Sequence, residues 1–171
     1  NIQYNKGAGT LNLYGGTIKN FEKGVVNNGT FNMYGGKLTK NSQGVSNTGT
    51  FNMHDGTITG NSGYCNGAGV SNDGSFTMSG GDITYNTASK DSNNNGYGGG
   101  VYGISNSTYI YGGSITRNEA RQGGGVYAET NCGVHLKGKV TIKNNYSHDL
   151  LANTAHYIDG SLDGSEIRLF V

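Results

Sequence analysis

Short runs of alternating apolar and polar residues recur along this chain at a fixed interval. Within residues 30–34 (TFNMY), Phe31 and Met33 fall on one side of an extended strand, and the polar residues fall on the other. The same pattern occupies residues 10–14 and 50–54, so that equivalent threonines lie 20 residues apart. A short fixed period is typical of a solenoid, in which each unit buries its apolar side against its neighbours.

Each repeat contains three such strands separated by three corners. Gly35 and Gly36 permit the first corner, a second strand follows at residues 37–39, Asn41 occupies the next corner, and a third strand surrounds Val45. Parallel crossovers are almost always right-handed. The sequence therefore predicts an all-β, right-handed, parallel β-helix: a three-sided solenoid of about 20 residues per coil and about six to seven coils.

Stacked coils should place equivalent inward residues in continuous columns that form the core. The predicted columns are Leu11-Phe31-Phe51-Phe76, Leu13-Met33-Met53-Met78-Ile110-Leu136, Ile18-Leu38-Ile58-Ile83-Ile115-Ile142 and Val25-Val45-Val70-Val101-Val126. A further column, Asn41-Asn61-Asn86-Asn118, lies at a corner, with Phe21 in the first coil. Stacked Asn side chains offer donors and acceptors to one another and to the buried backbone, so we expect a ladder of amides.

Three insertions lengthen the repeat, and all of them follow the corner asparagine. The valine-to-valine interval grows from 20 residues to 25, 31 and 25 as loops enter after Asn61, Asn86 and Asn118. Because these loops share one corner, they should emerge along one edge of the solenoid. Repeat proteins commonly place binding surfaces on such an edge.

That edge carries the predicted ligand-binding residues. Tyr102 and Tyr127 follow the inward valines of adjacent coils beside the loops, and we expect their rings to be exposed there. The remaining candidates nearby are Tyr97, Asp91, Arg121 and Glu129. An ordinary solvated rim is one alternative interpretation. Burial of the two rings against the loops, which would leave only spacing and display as functions, is another.

A second surface is suggested by outward residues of the first strand in each repeat. Tyr14, Tyr34, His54, Ser79 and Tyr111 share one column beside Thr-x-Asn pairs. Rings flanked by hydroxyl and amide groups suit sugars. Cross-strand pairs that only stabilise the sheet would give the same pattern.

Evidence for catalysis in the sequence is weak. Asp55 and Asp82 could approach each other at one corner, and glycoside hydrolysis uses carboxyl pairs about 5–10 Å apart, but isolated aspartates at corners more often form turns. No catalytic residue is assigned beyond these two weak candidates. Cys65 and Cys132 are expected to be thiols too far apart to bridge. Since no His, Cys or acidic cluster has metal-ligand spacing, we expect neither a metal nor a cofactor.

Charge and hydropathy exclude two classes of partner. The net charge of +1 argues against nucleic acid, and no apolar run approaches the 18 residues of a membrane span. The repeat weakens after Asn145. We therefore divide the chain into β-helix coils at residues 1–145 and an irregular last coil, or C-terminal cap, at residues 146–171.

The repeat units carry a resemblance to a known family. The segments GTFNMYGGKLTKN, GSFTMSGGDITYN and GGGVYGISNSTYIYGGSITRN resemble the "GG-x-I-T-x-N … GGGVY" repeats of large bacterial surface proteins. Those repeats belong to the pectate-lyase-like right-handed β-helix superfamily. The resemblance covers residues 7 to about 145, and the ending LDGSEIRLFV looks like the terminal piece of such arrays.

The resemblance implies an exported, surface-displayed protein of Gram-positive or gut bacteria. We therefore expect an extracellular, adhesin-like module that is non-enzymatic. It would contact a glycan or a cell-surface protein through its loop-lined edge and join neighbouring domains of a longer chain. The alternative is a carbohydrate-active enzyme, a glycosidase or a polysaccharide lyase, because some members of the superfamily are such enzymes.

Overall fold

The computed structural model describes residues 3–5, 7–153 and 156–167. All regular elements within these ranges are β-strands. In chain order they are β1 (Gln3–Asn5), β2 (Thr10–Leu13), β3 (Thr17–Lys19), β4 (Lys23–Asn27), β5 (Thr30–Met33), β6 (Lys37–Thr39), β7 (Gln43–Asn47), β8 (Thr50–Met53), β9 (Thr57–Thr59), β10 (Ser62–Gly63), β11 (Val70–Asn72), β12 (Ser75–Met78), β13 (Asp82–Thr84), β14 (Thr87–Ala88), β15 (Val101–Ile110), β16 (Gly113–Thr116), β17 (Glu119–Ala120), β18 (Val126–Leu136), β19 (Val140–Lys143), β20 (Leu150–Ala152), β21 (His156–Ile158) and β22 (Glu166–Ile167).

These strands form a three-sided parallel β-helix, as predicted. The first side contains β1, β4, β7, β11, the start of β15, the start of β18, and β20. The second side contains β2, β5, β8, β12, the ends of β15 and β18, and β21. Because β15 and β18 run through the corner, these two sides belong to one twelve-stranded sheet. The third side is a seven-stranded sheet, from β3 to β22.

The observed register confirms the predicted core columns. Thr10 pairs with Thr30 and Thr30 with Thr50, while Phe31 and Phe51 stack at a centroid distance of 4.8 Å. Nearly all column members are fully buried, and the columns continue to Leu150, Ile158 and Ile167. The right-handed winding stays an expectation of the crossover rule.

The predicted ladder of corner asparagines is present and buried. The Oδ1 atom of Asn61 accepts hydrogen bonds from the backbone N and from Nδ2 of Asn41, both at 3.0 Å. The arrangement repeats through Asn86, Asn118 and Asn145, and each Nδ2 also reaches a carbonyl group of a neighbouring coil. The buried carboxylate of Asp149 ends the ladder by accepting from Asn145 at 2.7 and 2.8 Å. This corner therefore leaves its amides paired.

A second amide ladder, which the sequence analysis missed, lines the corner between the first and second sides. It joins Asn5, Asn27, Asn47 and Asn72 through Nδ2-to-Oδ1 bonds of 2.7–2.8 Å. The ladder stops at Gly103, the residue that pairs with Asn72, because a side chain there would collide with the Sγ atom of Cys132. In that coil and the next, β15 and β18 run straight through the corner.

Residues after 145 continue the stack within the described ranges. β20 pairs with β18, β21 pairs with β18, and β22 pairs with β19, all in parallel. This pairing is compatible with a last coil at residues 146–171, and the division at residue 145 stays a prediction. Residues 168–171 lie outside the described part. Both cysteines are thiols, as expected, and burial raises the pKa of each. The described residues include no helix of the length and apolarity that a membrane span requires.

Candidate functional site

The three insertions lie along one edge, as predicted, and we call residues 62–69, 87–100 and 119–125, together with Tyr102, Tyr127 and Glu129, the loop edge. Each insertion begins with a short strand, and β10, β14 and β17 pair in parallel as a three-stranded sheet. Ala68, Ala88 and Ala120 form a small buried cluster beneath it. The insertions therefore act as a short fourth side of the coil.

Asp91 organises the turn in the longest insertion. Its carboxylate accepts hydrogen bonds from Nδ2 of Asn95 at 2.7 Å and from the backbone N atoms of Asn93 and Asn95 at 2.9 Å. These bonds, led by the one from the Asn95 side chain, lower the pKa of Asp91. Asp91 thus has a turn-forming role, and its ligand-binding role stays a prediction.

Three tyrosine rings stack within the loop edge. The Tyr97 ring lies 4.8 Å from that of Tyr127 and 6.4 Å from that of Tyr102, and Tyr102 and Tyr127 are 5.8 Å apart. Their hydroxyl groups have partners within the protein. Arg121 donates to Tyr97 at 2.9 Å, Tyr102 donates to Glu129 at 2.8 Å, and Asn153 donates to Tyr127 at 2.9 Å.

Burial of this stack corrects the expectation that its rings are exposed. Only 9% of Tyr102 and 7% of Tyr127 is accessible to solvent. Burial, with the hydrogen bond to Glu129 as the second cause, raises the pKa of Tyr102. The structure brings Tyr97, Arg121 and Glu129 together with these two rings, and the Asp91 turn adjoins them. Ligand binding by this set stays a prediction, but the rings and hydroxyls of Tyr102 and Tyr127 contact protein atoms.

The outward surface of the second side, which we call the second-side face, presents the other ring column in the open. Tyr14 and Tyr34 stack at 5.1 Å with planes 9° apart, and Tyr34 and His54 stack at 4.7 Å with planes 7° apart. Tyr14 is 73% exposed and Tyr34 43% exposed. The half of the second-side face that carries Tyr14, Tyr34 and His54 is therefore an ordered and accessible array of aromatic groups.

An exposed amide ladder runs beside those rings. Asn32 donates to Asn12 and Asn52 donates to Asn32, both through Nδ2-to-Oδ1 bonds of 2.9 Å. The hydroxyl of Ser79, one coil further, lies 3.3 Å from Nδ1 of His54. The predicted column of rings and Thr-x-Asn pairs is thus confirmed in register, and it displays hydroxyl and amide groups at intervals of one coil.

The other half of the second-side face contains a cluster that the sequence analysis missed. His135 lies between Tyr109 and Tyr157 at centroid distances of 4.7 and 4.6 Å. Its Nδ1 atom is 3.0 Å from the carboxylate oxygens of Asp159, which also accept from the Tyr111 hydroxyl at 2.8 Å. Spacing alone did not identify it, because Asp159 belongs to the last coil, where the repeat could not be aligned.

Hydrogen bonding explains the protonation of this cluster. The bond from His135, followed by the one from Tyr111, lowers the pKa of Asp159. Loss of hydration and the bond to Asp159 raise the pKa of Tyr111 to about 12. Asp159 is therefore ionised and Tyr111 neutral near neutral pH.

A shallow groove of about 510 Å³ lies between the two halves of the face. Its lining consists mostly of small polar residues: Thr48, Gly49, Thr50, Ser75, Asn106, Ser107 and Tyr109. Hydroxyl groups that both donate and accept hydrogen bonds suit a polyhydroxylated ligand.

The two weak catalytic candidates occupy a turn and a strand. The carboxylate of Asp55 accepts from the backbone N of Gly56 at 2.7 Å, which is a turn-forming contact. Asp82 is exposed on β13, in register with Thr57 and Ser114. A catalytic role for this pair stays a prediction. Among the described residues, no three His, Cys, Asp or Glu side chains are grouped so that they could hold a metal ion.

No family model, curated protein or solved structure matches this chain. The class of protein is therefore defined by its own geometry, as a three-sided parallel β-helix with inserted loops on one edge and an open aromatic and amide face on another.

Proposed function

We propose that this chain is a display and binding module of an extracellular, bacterial cell-surface protein. It would contact a glycan, or a glycan-bearing cell-surface protein, through the second-side face. The observation that carries this proposal is the accessible array of Tyr14, Tyr34 and His54 beside the Asn12–Asn32–Asn52 ladder. The extracellular and bacterial setting is supported by the repeat segments quoted above.

The chemistry of that array suits sugars better than it suits an apolar partner. An exposed tyrosine ring can stack on the C–H groups of a sugar, while the tyrosine hydroxyls and asparagine amides exchange hydrogen bonds with its hydroxyls. The adjacent groove adds the hydroxyls of Thr48, Thr50 and Ser75. A rigid β-helix holds these groups in place before binding, which reduces the ordering cost of association.

The loop edge supports the alternative location of the binding surface less well. Its stacked rings Tyr102 and Tyr127 are buried, and their hydroxyls bond to Glu129 and Asn153. Two other tyrosines near this edge are exposed, namely Tyr64 in the first insertion and Tyr146 beside β17. They provide a matched control because they can be changed without opening the buried stack.

A glycan array compares the two surfaces directly. The double variant Tyr14→Ala/Tyr34→Ala should bind the glycans retained by the unchanged protein at least about tenfold more weakly, which corresponds to about 1.4 kcal/mol. Tyr64→Ala/Tyr146→Ala should retain full affinity. Circular dichroism of both variants should show the unchanged β-rich spectrum. If the second variant loses binding and the first keeps it, the loop edge is the binding surface.

A further inference from the structure

Three side chains on the second-side face lie in line across successive coils: Ser107, His135 and Asp159. Ser107 pairs in register with Gly133 of the next coil, and His135 lies two residues after that glycine. His135 in turn pairs with Tyr157, and Asp159 lies two residues after Tyr157. The register therefore places a hydroxyl, an imidazole and a carboxylate along one diagonal of a rigid sheet.

The imidazole in the middle is held in one orientation. Tyr109 and Tyr157 enclose its two faces, and Asp159 fixes its Nδ1 atom at 3.0 Å. The carboxylate is held in turn by the Tyr111 hydroxyl at 2.8 Å. An ionised carboxylate only accepts hydrogen bonds, so Nδ1 carries the proton, and Nε2 of the neutral ring is an acceptor.

That acceptor and the serine hydroxyl both lie close to the position that a side chain of residue 133 would occupy. A β-carbon on Gly133 would lie 3.3 Å from Nε2 of His135 and 3.6 Å from Oγ of Ser107. Both atoms therefore border the same small space, and the edge of the Tyr157 ring closes it at 3.1 Å. Ser107 also lines the hydroxyl-rich groove, so a ligand in the groove would reach its Oγ atom.

We propose that Ser107, His135 and Asp159 form a hydrolytic site for carboxylic esters, with an acyl group attached to a hydroxyl-rich ligand as the substrate class. Ser107 is the nucleophile and His135 the general base, while Asp159 is a positioning residue that holds the imidazole. This order of serine, histidine and carboxylate is a recurrent solution for acyl transfer on unrelated folds. The activity goes beyond binding and display, and it does not depend on the Asp55 and Asp82 pair.

The reaction balances with water as the only co-substrate. Oγ of Ser107 bonds to the carbonyl carbon while its proton passes to Nε2 of His135. The ester C–O bond then breaks, and His135 returns that proton to the departing alkoxide, which leaves as an alcohol. Water next gives a proton to Nε2 and its oxygen to the acyl carbon. The bond between the acyl carbon and Oγ of Ser107 then breaks, and Nε2 returns its proton to Oγ, which releases the carboxylic acid and restores the serine hydroxyl.

The first experiment uses p-nitrophenyl acetate and a fluorophosphonate probe with the full chain. We expect the unchanged protein to hydrolyse the ester and to gain one probe adduct that peptide mass spectrometry places on Ser107. Ser107→Ala should lose the adduct and at least about 100-fold of the hydrolysis rate. The matched control is Ser147→Ala, because Ser147 also lies beside a histidine, His148, but outside the second-side face, and it should be dispensable.

Two further variants separate chemistry from folding. Gly133→Ala fills the space between Ser107 and His135, and it should abolish labelling while the thermal unfolding midpoint stays within a few degrees. Asp159→Asn should lower kcat about 100-fold with KM unchanged, and Asp159→Glu should restore part of the rate. Hydrolysis no faster than in buffer, or hydrolysis that survives Ser107→Ala, would overturn the proposal. Loss of glycan binding in the Tyr14→Ala/Tyr34→Ala variant leaves this test unaffected, because p-nitrophenyl acetate is a small molecule.

Discussion

The loop edge and the second-side face are built from the same parts but differ in their exposure to water. Both carry tyrosine rings stacked from coil to coil, at 4.8 Å between Tyr97 and Tyr127 and at 5.1 Å between Tyr14 and Tyr34. At the loop edge 7% of Tyr127 is exposed, whereas on the face 73% of Tyr14 is exposed. The same stacking geometry therefore gives an internal cluster in one place and an accessible surface in the other.

The length of the neighbouring corner accounts for this difference. Beside Tyr102 and Tyr127 an insertion of residues 87–100 folds over the rings and adds its own short strand, β14. Beside Tyr34 the chain turns at once through Gly35 and Gly36, and a β-carbon on Gly35 would lie 2.6 Å from the carbonyl oxygen of Tyr14. A corner this tight leaves nothing to cover the ring. An insertion next to an aromatic residue can thus bury a candidate ligand contact.

The largest contrast is expected between the buried and the exposed amide ladders. Asn61→Leu removes the acceptor of two bonds from Asn41 and the donor to the Leu38 carbonyl group, all inside the corner that supports the insertions. Unpaired buried groups cost about 1–3 kcal/mol each, so the free energy of unfolding should fall by at least about 3 kcal/mol in urea titrations.

The control for that change is Asn32→Leu on the second-side face. Asn32 makes equivalent amide bonds at 2.9 Å, but water can replace them. Its effect should stay within about 0.5 kcal/mol, as for most surface substitutions. Equal losses in the two variants would mean that the corner ladder is as well hydrated as the exposed one.

A smaller contrast should separate the two ring stacks. Tyr127→Ala opens a cavity under the loops and leaves Asn153 without its hydroxyl partner, which should lower the free energy of unfolding by about 3 kcal/mol. Tyr34→Ala loses mainly stacking on Tyr14 and His54, worth about 1 kcal/mol. Urea titrations measure both, and a Tyr34 loss as large as the Tyr127 loss would contradict the assignment of that ring to the surface.

Sequence periodicity was sufficient to predict the fold because a solenoid repeats its local chemistry. Thr10, Thr30 and Thr50 mark the coil length directly, and the inward columns follow from strand alternation. The buried Asn41 column was predictable for the same reason. The Asn27 ladder was missed although its signal, an asparagine two residues before a glycine, recurs at Asn47 and Asn72.

The site was less predictable because it depends on contacts between parts that do not repeat. Burial of Tyr102 depends on how the insertion carrying Tyr97 folds, and residues 89–96 of that loop have no equivalent in other coils. The pairing of His135 with Asp159 depends on the register of β21, which lies where the repeat pattern weakens. Local alternation fixes which side of a strand a residue occupies, but it does not fix what later covers that side.

The smallest expected effect is a loss of folding stability at alkaline pH. Tyr102 in the loop edge should contribute more to this loss than the tyrosines of the second-side face. Burial and the bond to Glu129 raise the pKa of Tyr102 above its unfolded value of about 10. A raised pKa means that the neutral hydroxyl stabilises the fold. This contribution is fully present below about pH 10 and is lost as the pH rises further, because the unfolded chain then releases its proton first. Tyr111 has a pKa raised to about 12, but it lies on the more open second-side face, where solvent screens its contacts.

Tyr102→Phe tests this dependence, with Tyr111→Phe as its control. At pH 7 the Tyr102 variant should be less stable by about 1 kcal/mol, the value of one hydrogen bond. Above about pH 10 the difference from the unchanged protein should shrink, since only the unchanged protein can lose the Tyr102 contribution. Urea titrations at neutral pH and near pH 10.5 measure the change, which should be smaller for Tyr111→Phe. A difference that stays constant with pH for Tyr102→Phe would mean that its hydroxyl is no better shielded than those of the open face.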